Sequence, residues 1–450
     1  MPMREARLPG NYHDAVVRWR ETFIPDYDFL MENWEKHFPK EPRFKLCAFR
    51  ELGICGEIEC GADAGKPKIT CPNDLGPERA RHLLGAIRAQ ASTEFGSIQQ
   101  HRLTLARAQE EVDQVWVLRM MAEELRHGYQ MLHLLLEDDW SSVSDQSGPD
   151  MVEEILSMQT GSHVLGAFNI DFDSFVDNIV FCALIDRVGK YQLAMQRVSA
   201  YKPMAESMPQ MLREEAFHLA TGVVPMRRWA TQAAEGDVYV SMEMLQKAFN
   251  KWMPRGLEMF GDERGGGSNV RMGFKPMKNG EAQEQYRVEV SKLVDDVNMR
   301  YVRARLPELG RKEAKDLLEA LNKERMPQKG IAWEDLIHLS DPGFFRRRGV
   351  PAFTMTGWDG ETFERYEDYI AHLRRHLPES YLAGRDFRDY AETLKQVANG
   401  ELTTVDASRK MPRLSRVGGS CPCSRSVRWV TGEGASDGAG VADGEVVNAR

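Results

Sequence analysis

Two Glu-x-x-His motifs, each preceded by a distant carboxylate, contain the residues of this chain best suited to chemistry. Glu124 follows the first carboxylate by 30 residues, and Glu215 follows the second by 29. The two sets are Glu94, Glu124 and His127, and Asp186, Glu215 and His218. Residues three apart lie on one face of a helix, so each motif can present both side chains to one metal centre. Four carboxylates and two imidazoles are the ligand set of two iron ions in a four-helix bundle. The motifs predict such a site, which would activate dioxygen or handle iron.

Spacings of about 30 residues suit two antiparallel helical hairpins with the ligands midway along each helix. About 15 residues, roughly 22 Å of helix, would separate each ligand from the turn. Residues 200–203 predict the second turn because Pro203 cannot continue a helix, whereas turn residues are scarce near Gln109 in the first hairpin. The long connection from His127 to Asp186 is typical of a ferritin-like bundle. The ligand helices are predicted at 79–106, 111–138, 171–198 and 204–230, with further helices near 239–253 and 281–305.

The residues one turn away from the ligands are mostly apolar, for example Met120 and Met121 near Glu124. A carboxylate on a buried stripe costs several kcal/mol unless it is paired, protonated or bound to metal. The alternative to a metal site is therefore a bundle that contains buried ion pairs. Hard oxygen ligands with two imidazoles favour iron or manganese over zinc.

Glu123 and Glu214, each adjacent to a predicted ligand, are candidates to hold the second ring nitrogen of the ligand histidines. Arg126 would balance their charge. Both glutamates lie about 100° from the ligand stripe on a helix, so an ordinary salt bridge is the alternative.

Composition predicts a soluble protein of a reducing compartment, the cytoplasm. The 450 residues carry a net charge of −9, which does not favour nucleic acid or an acidic membrane. We find no apolar run of transmembrane length and no secretory signal at the start. Seven cysteines, an odd number, argue against a disulfide framework.

The chain is predicted to divide into four parts. Residues 1–78 form a mixed extension with a small β-hairpin region between 46 and 72, where short alternating runs occur. Residues 79–305 form the ferritin-like di-iron bundle, so the fold class is mainly α. Residues 306–415 form a C-terminal extension of helices and loops. Residues 416–450 are small and polar, and are expected to be disordered.

The six residues and two longer segments resemble the oxygenase components of the bacterial aryl-CoA epoxidases, a di-iron family that includes the benzoyl-CoA 2,3-epoxidase type. The segments are SAYKPMAESMPQMLREEAFHLATG, around the second motif, and GRDFRDYAETLKQVANGELTTV near the C-terminus. The resemblance covers roughly residues 80–415. It implies that Glu94, Glu124, His127, Asp186, Glu215 and His218 are the ligands of two iron ions.

The resemblance also implies the reaction. One atom of O2 would add across a ring double bond of an aryl-CoA thioester such as benzoyl-CoA, and the other would leave as water. Electrons would come from a separate NAD(P)H-dependent reductase, because the chain has no nucleotide-binding glycine motif and no iron–sulfur cysteine pattern. A di-iron hydroxylase or N-oxygenase acting on another aromatic or carrier-bound substrate stays an alternative.

Three other di-iron readings fit the residues less well. A ribonucleotide reductase small subunit needs an oxidisable tyrosine one turn beyond the first motif, where Met131 stands, and Tyr129 points off the ligand face. A ferritin would be much shorter. A non-catalytic partner of this family would have lost ligands that are all present here.

Three further groups of residues have possible binding roles. Two basic stretches could hold the phosphates of coenzyme A, or could be plain solvated surface. A structural zinc site is the remaining option, disfavoured because its cysteines lack a C-x-x-C pair. The groups are Arg346–Arg348; Arg271, Lys275 and Lys278; and Cys47, Cys55, Cys60 and Cys71.

Overall fold

The structure is a computed structural model. It describes residues 3–141, 143–170, 172, 174–236, 240–261 and 267–339, and short pieces between 355 and 402. Those pieces are 355–356, 362–363, 365–376, 392, 395–396 and 399–402. The predicted tail at 416–450, most of the predicted C-terminal extension beyond 339, and the basic stretch Arg346–Arg348 lie outside the described residues.

Helices make up most of the described chain, and short strands occur at both ends. The helices are α1 Gly10–Phe23, α2 Tyr27–Glu32, α3 Trp34–His37, α4 Pro77–Thr104, α5 Glu111–Glu137, α6 Gly148–Ser157, α7 Phe175–Gln196, α8 Lys202–Ala234, α9 Met242–Met259, α10 Ser268–Arg271, α11 Asn279–Arg305, α12 Arg311–Glu324 and α13 Tyr366–His376. The strands are β1 Met3–Ala6, β2 Ala48–Glu51, β3 Met355–Thr356 and β4 Thr362–Phe363. Each strand pair is antiparallel.

Helices α4, α5, α7 and α8 form a four-helix bundle. Short connections make α4–α5 and α7–α8 two hairpins. On α5 and α8, Glu123 lies beside His218 and His127 beside Glu214, so residue numbers rise along one helix as they fall along the other. Helix α8 is therefore antiparallel to both α5 and α7, and α5 and α7 run in the same direction. This arrangement, with one long crossover, confirms the predicted ferritin-like helical bundle.

The boundaries of the ligand helices follow local signals, and two differ from their predictions by four residues: the start of α7, and the end of α8, which was predicted at 230 and lies at Ala234. Helix α8 has Pro203 in its first turn, as expected at a helix start. Helix α7 was predicted to begin at 171 but begins at Phe175. The backbone N–H of Ser174 donates to the side chain of Asp177 (3.3 Å), which stops the helix from extending further toward the N-terminus.

The predicted hairpin region between 46 and 72 is only partly a hairpin. Strand β2 pairs with β1 at the start of the chain, a long-range contact that the local pattern did not predict. Residues 57–60 and 67–70 do approach each other, but as one isolated antiparallel bridge between Glu57 and Pro67. Two backbone hydrogen bonds of 2.8 Å support this bridge: the Ile58 N–H donates to the Lys66 carbonyl, and the Lys68 N–H donates to the Gly56 carbonyl.

One large apolar core joins the N-terminal segment to the bundle. It includes Trp19 and Phe23 of α1 as well as Phe95 of α4; the Trp19 and Phe95 ring centroids are 4.7 Å apart. The predicted domain limits at 78 and 305 stay predictions. No helix among the described residues combines the length and the apolar character needed to cross a bilayer.

Candidate metal centre

The two Glu-x-x-His motifs meet at the centre of the bundle. One ligand atom from each of Glu124, His127, Glu215 and His218 lies within 4.8 Å of the others, and all four residues are buried. Nδ1 of His127 is 3.5 Å from Glu124, and Nδ1 of His218 is 3.4 Å from the same carboxylate. Glu124 thus lies between the two imidazoles, where one carboxylate could bridge two metal ions.

The two upstream carboxylates also reach this cluster. Oε2 of Glu94 lies 3.9 Å from His127 Nδ1. Asp186 and Glu94 line one cavity together with Glu124 and Glu215. All six predicted residues therefore come together, one set from each hairpin. Their role as iron ligands stays a prediction.

Unsatisfied polar atoms at the centre test whether these residues fit a metal. Buried polar atoms normally have hydrogen-bond partners. Five inward-facing atoms have none within the described residues: Glu124 Oε2, His127 Nδ1, Asp186 Oδ2, Glu215 Oε2 and His218 Nδ1. They are oxygen and imidazole nitrogen donors, the set that iron or manganese accepts. The residues present therefore fit a pair of such ions.

The outward ring nitrogens of both histidines face carboxylates from the opposite helix. His127 Nε2 lies 3.0 Å from Glu214 Oε2. His218 Nε2 lies 3.2 Å from Glu123 Oε2. Each glutamate that precedes a ligand thus positions the histidine of the other motif, leaving Nδ1 free to face the centre. These contacts confirm the interpretation of Glu123 and Glu214, and they add the crossed pairing.

Two buried arginines balance these outer carboxylates. Arg126 donates to Glu214 at 2.5 Å, as expected from the sequence. Arg119 donates to Glu123 at 3.0 Å and stacks on the Phe217 ring, 3.8 Å from its centroid. Its role was not predicted, although it stands four residues before Glu123, a spacing that places both on one helical face.

The carboxyl pKa values shift in opposite directions within the cluster. Burial, assisted by the charge of Glu124, holds the pKa of Glu94 well above its usual range. Burial and the charges of Glu124 and Glu215 do the same for the pKa of Asp186. Burial also raises the pKa of Glu215 to about 7. Burial would raise the pKa of Glu124, but the neighbouring Glu94 carboxyl and the nearby imidazoles of both histidines outweigh it and hold that pKa well below normal.

Both histidines would carry a proton at neutral pH without metal. Burial alone would lower the pKa of His127, but contacts with Glu124 and Glu214 outweigh it and raise that pKa to about 9. For His218 burial is likewise outweighed by Glu123 and Glu124, which hold its pKa well above its usual range. In the metal-free site, these protons supply positive charge that the metal ions would supply when bound.

A cavity of about 190 Å³ opens onto the carboxylates. Leu165, Phe168 and Ile185 supply apolar lining. Lys275 and Gln192 line it as well and are half-buried, so this side lies nearer the surface. Lys275 is thus the member of its predicted basic stretch that borders the cavity; Arg271 and Lys278 are exposed.

Several residues that contact the site were not predicted from the sequence. Gln90 donates to Glu94, and Gln210 donates to Glu214. A glutamine four residues before a glutamate on a predicted helix was the available signal. Gly189 faces Glu215: a Cβ at Gly189 would lie 3.1 Å from Glu215 Oε1. Nothing in the local pattern indicates this contact.

Two other predictions concern residues away from the cluster. Tyr129 points away from it, because its hydroxyl accepts from the Leu8 N–H (2.8 Å) and lies 3.0 Å from His13 Nδ1. The described residues contain one group suited to a metal, the cluster above, and none built from the N-terminal cysteines.

Comparisons with known proteins point to the same family as the motifs. A sequence model of the family described as phenylacetic acid catabolic protein matches residues 104–321. This region contains five of the six predicted ligands; Glu94 precedes it. Benzoyl-CoA oxygenase component B of Aromatoleum evansii is 29% identical over 166 residues, 35% of this chain and 35% of that protein. The match thus spans about a third of the relative's length. The expected resemblance to the aryl-CoA epoxidase family is confirmed.

Proposed function

We propose that this protein is a di-iron oxygenase that adds one oxygen atom from O2 to the ring of an aryl-CoA thioester such as benzoyl-CoA, most simply as an epoxidase. The observation that supports this most directly is the set of five unpartnered ligand atoms facing one buried centre beside a cavity. The similarity to a benzoyl-CoA oxygenase component supports the substrate class.

In this proposal the six residues hold two iron ions, which when bound supply the two electrons that dioxygen needs. Glu124 lies between the two imidazoles and would hold the ions together with them. Glu123 and Glu214 lie beside Nε2 of His218 and His127, respectively, and would favour a proton on that atom, with Nδ1 turned inward. The surrounding core leaves the cluster residues at most 6% exposed, and the cavity is the side from which a substrate would reach them.

The size of the cavity supports an aromatic substituent. An apolar cavity of about 150 Å³ can hold benzene, and this one measures about 190 Å³. Its wall is formed partly by apolar side chains, and its floor by the ligand carboxylates. A benzoyl ring would therefore fit against the metal centre, while the thioester and coenzyme would extend toward the surface.

Lys275 is our candidate to meet the coenzyme A moiety. Its ammonium group is held by Gln192 (2.6 Å) and Asn279 (3.1 Å) at the cavity. The exposed Arg271 and Lys278 could add further contacts to phosphate. A separate reductase would deliver the electrons.

A single-turnover experiment tests this function. Protein loaded with ferrous iron would be mixed with isotopically labelled dioxygen and a panel of acyl-CoA thioesters, benzoyl-CoA first, and the products analysed by mass spectrometry. We expect one labelled oxygen atom on the aryl-CoA product. Oxygen consumption without an oxygenated thioester would refute the aryl-CoA assignment and favour a hydroxylase or N-oxygenase acting on another aromatic substrate.

Substitutions test the ligand assignment in the same assay. Glu124→Ala and His218→Ala should each abolish turnover and remove iron from at least one site, while circular dichroism shows that the helices are retained. Asp113→Asn, which changes a buried carboxylate paired with Arg228 elsewhere, is the matched control. Turnover retained in either ligand variant would contradict the assignment.

A further inference from the structure

The direction of the bundle helices forces one segment across the metal site. Because α5 and α7 run the same way, the chain between them must return along the length of the bundle. This crossover spans residues 138–174 and includes α6. Its last part, residues 158–169, lies against α4 and places Leu165 and Phe168 in the cavity wall beside Glu94 and Asp186. We call residues 158–169 the crossover wall.

A directed chain of hydrogen bonds fastens the crossover wall to α4. Gln99 Nε2 donates to the Met158 carbonyl (3.0 Å), so its Oε1 is left to accept from His163 Nε2 (3.0 Å). His163 Nδ1 is then the acceptor for the Ser92 hydroxyl (3.2 Å). Ser92 Oγ in turn accepts from the Val164 N–H (3.1 Å). Every donor has an acceptor, which defines one orientation of the wall.

Two further features hold the crossover wall rigid. Asn169 bridges it internally: Oδ1 accepts from the N–H groups of Gly161 (2.8 Å) and His163 (2.9 Å), and Nδ2 donates to the His163 carbonyl (2.9 Å). Gly96 on α4 lies directly beneath the crossover wall. A Cβ there would be 2.9 Å from Phe168 Cβ and 3.1 Å from the His163 ring, so the wall packs on bare backbone. Phe168 is thus held in place from both sides.

We propose that the crossover wall determines which acyl groups enter the site, with Phe168 and Leu165 setting the largest ring that fits and His163 acting as the positioning residue. This inference rests on the proposed function for its substrate class. The proposed role is separate from metal binding, because none of these three residues belongs to the six predicted ligands. The half-buried Leu165 borders the cavity, and Phe168 fills the space between Gly96 and the Phe181 ring, whose centroid is 5.8 Å away.

Binding measurements on the iron-loaded protein without oxygen test the wall directly. The dissociation constants of benzoyl-CoA and 2-naphthoyl-CoA would be compared by calorimetry for the wild type, Phe168→Leu and Leu165→Ala. Each variant removes three side-chain carbon atoms from the wall, so we expect it to shift the affinity ratio toward the naphthoyl thioester by at least about tenfold, the discrimination that a single methylene group gives in an apolar pocket. Val164→Ala is the matched control, since that side chain belongs to the same segment but is 53% exposed.

Two substitutions at His163 test its positioning role separately. His163→Ala should loosen the wall and shift the same ratio, whereas His163→Gln, which can both donate and accept, should restore part of the selectivity. If His163 has only a structural role, His163→Ala should lower the thermal stability but leave the ratio of the two dissociation constants equal to that of Val164→Ala. If Phe168→Leu and Leu165→Ala both retain the wild-type ratio, the proposed wall is refuted.

Free hydrocarbons separate this inference from the proposed function. Toluene and naphthalene need no coenzyme A site, so their relative binding, followed by thermal shift, reports the wall alone. A ratio that changes in Phe168→Leu while no thioester binds would support the wall and refute the aryl-CoA substrate. Thioester binding with an unchanged ratio would support the function and overturn the wall.

Discussion

Metal binding should release about four protons from this site, and the number follows from the structure. Ligand carboxylates and imidazoles must lose their protons before they can bind a metal. At neutral pH the metal-free site holds one proton on each histidine, because neighbouring carboxylates raise the pKa of His127 to about 9 and that of His218 well above normal. Burial raises the pKa of both Glu94 and Asp186 well above their usual range, which favours the protonated carboxyl at each.

Glu215 adds a fraction of a further proton, because burial raises its pKa to about 7. The expected release is thus about four protons for a complete metal pair. The same number follows from charge. Two ferrous ions bring four positive charges into a buried site, and a buried site is most stable when its net charge is preserved. Metal ions that bind to this site therefore take the place of protons that leave it.

Calorimetric titration with ferrous or manganous ion, without oxygen and in two buffers of different ionisation enthalpy, measures this release. Asp186→Asn should lower the count by about one proton, and Asp113→Asn, remote from the cluster, should leave it unchanged. Burial raises the pKa of Asp113 to about 6, against the opposing effect of its pairing with Arg228, which makes it a matched buried carboxylate. A release of one proton or none would show that the apo site is not charge-compensated as described, and would refute the reasoning.

Two further predictions follow from the same cluster. Between pH 5 and 8 the metal-free wild type should lose stability relative to Glu215→Gln, because Glu215 keeps its proton up to pH about 7 when folded but loses it near its ordinary pKa when unfolded. The folded state then binds more protons at this residue, so about 2.5 kcal/mol of its contribution is lost across that range; a stability difference between the two proteins that does not fall with pH would contradict this. Gly189→Ala should weaken metal affinity, because its Cβ would lie 3.1 Å from Glu215 Oε1. Gly85→Ala on α4, where the added atom meets nothing, is the control, and equal metal affinity in both variants would be the contrary result.

Local spacing was enough to predict the inner site. Residues three apart on a helix share a face whatever the rest of the fold does, so the pairs Glu124–His127 and Glu215–His218 could be found without a structure. The bundle followed, because the distances to Glu94 and Asp186 match two helical hairpins. The predicted ends of the ligand helices lie within a few residues of those observed, with differences of four residues at the end of α8 and at the start of α7, where Ser174 and Asp177 form a cap.

Contacts between distant segments could not be predicted in the same way. Strand β1 pairs with β2 through residues more than 40 positions apart, such as Met3 and Glu51, and neither strand has a pattern that names its partner. The crossover wall is a similar case. Phe168 and Leu165 follow no helical or strand period, and their place beside the metal centre results from the direction of α5 and α7.

The crossed pairing of glutamates and histidines shows where local reasoning ends. Each motif contains a glutamate directly before the ligand glutamate, and on its own helix that residue points about 100° away from the ligand stripe. It is useful only because α5 and α8 are antiparallel and in register, so that Glu123 faces His218 and Glu214 faces His127. A shift of α8 by one helical turn would break both contacts together. The two outer pairs therefore make the alignment of α5 with α8 a condition for correctly oriented ligands, and they tie the packing of the two hairpins to the geometry of the metal centre.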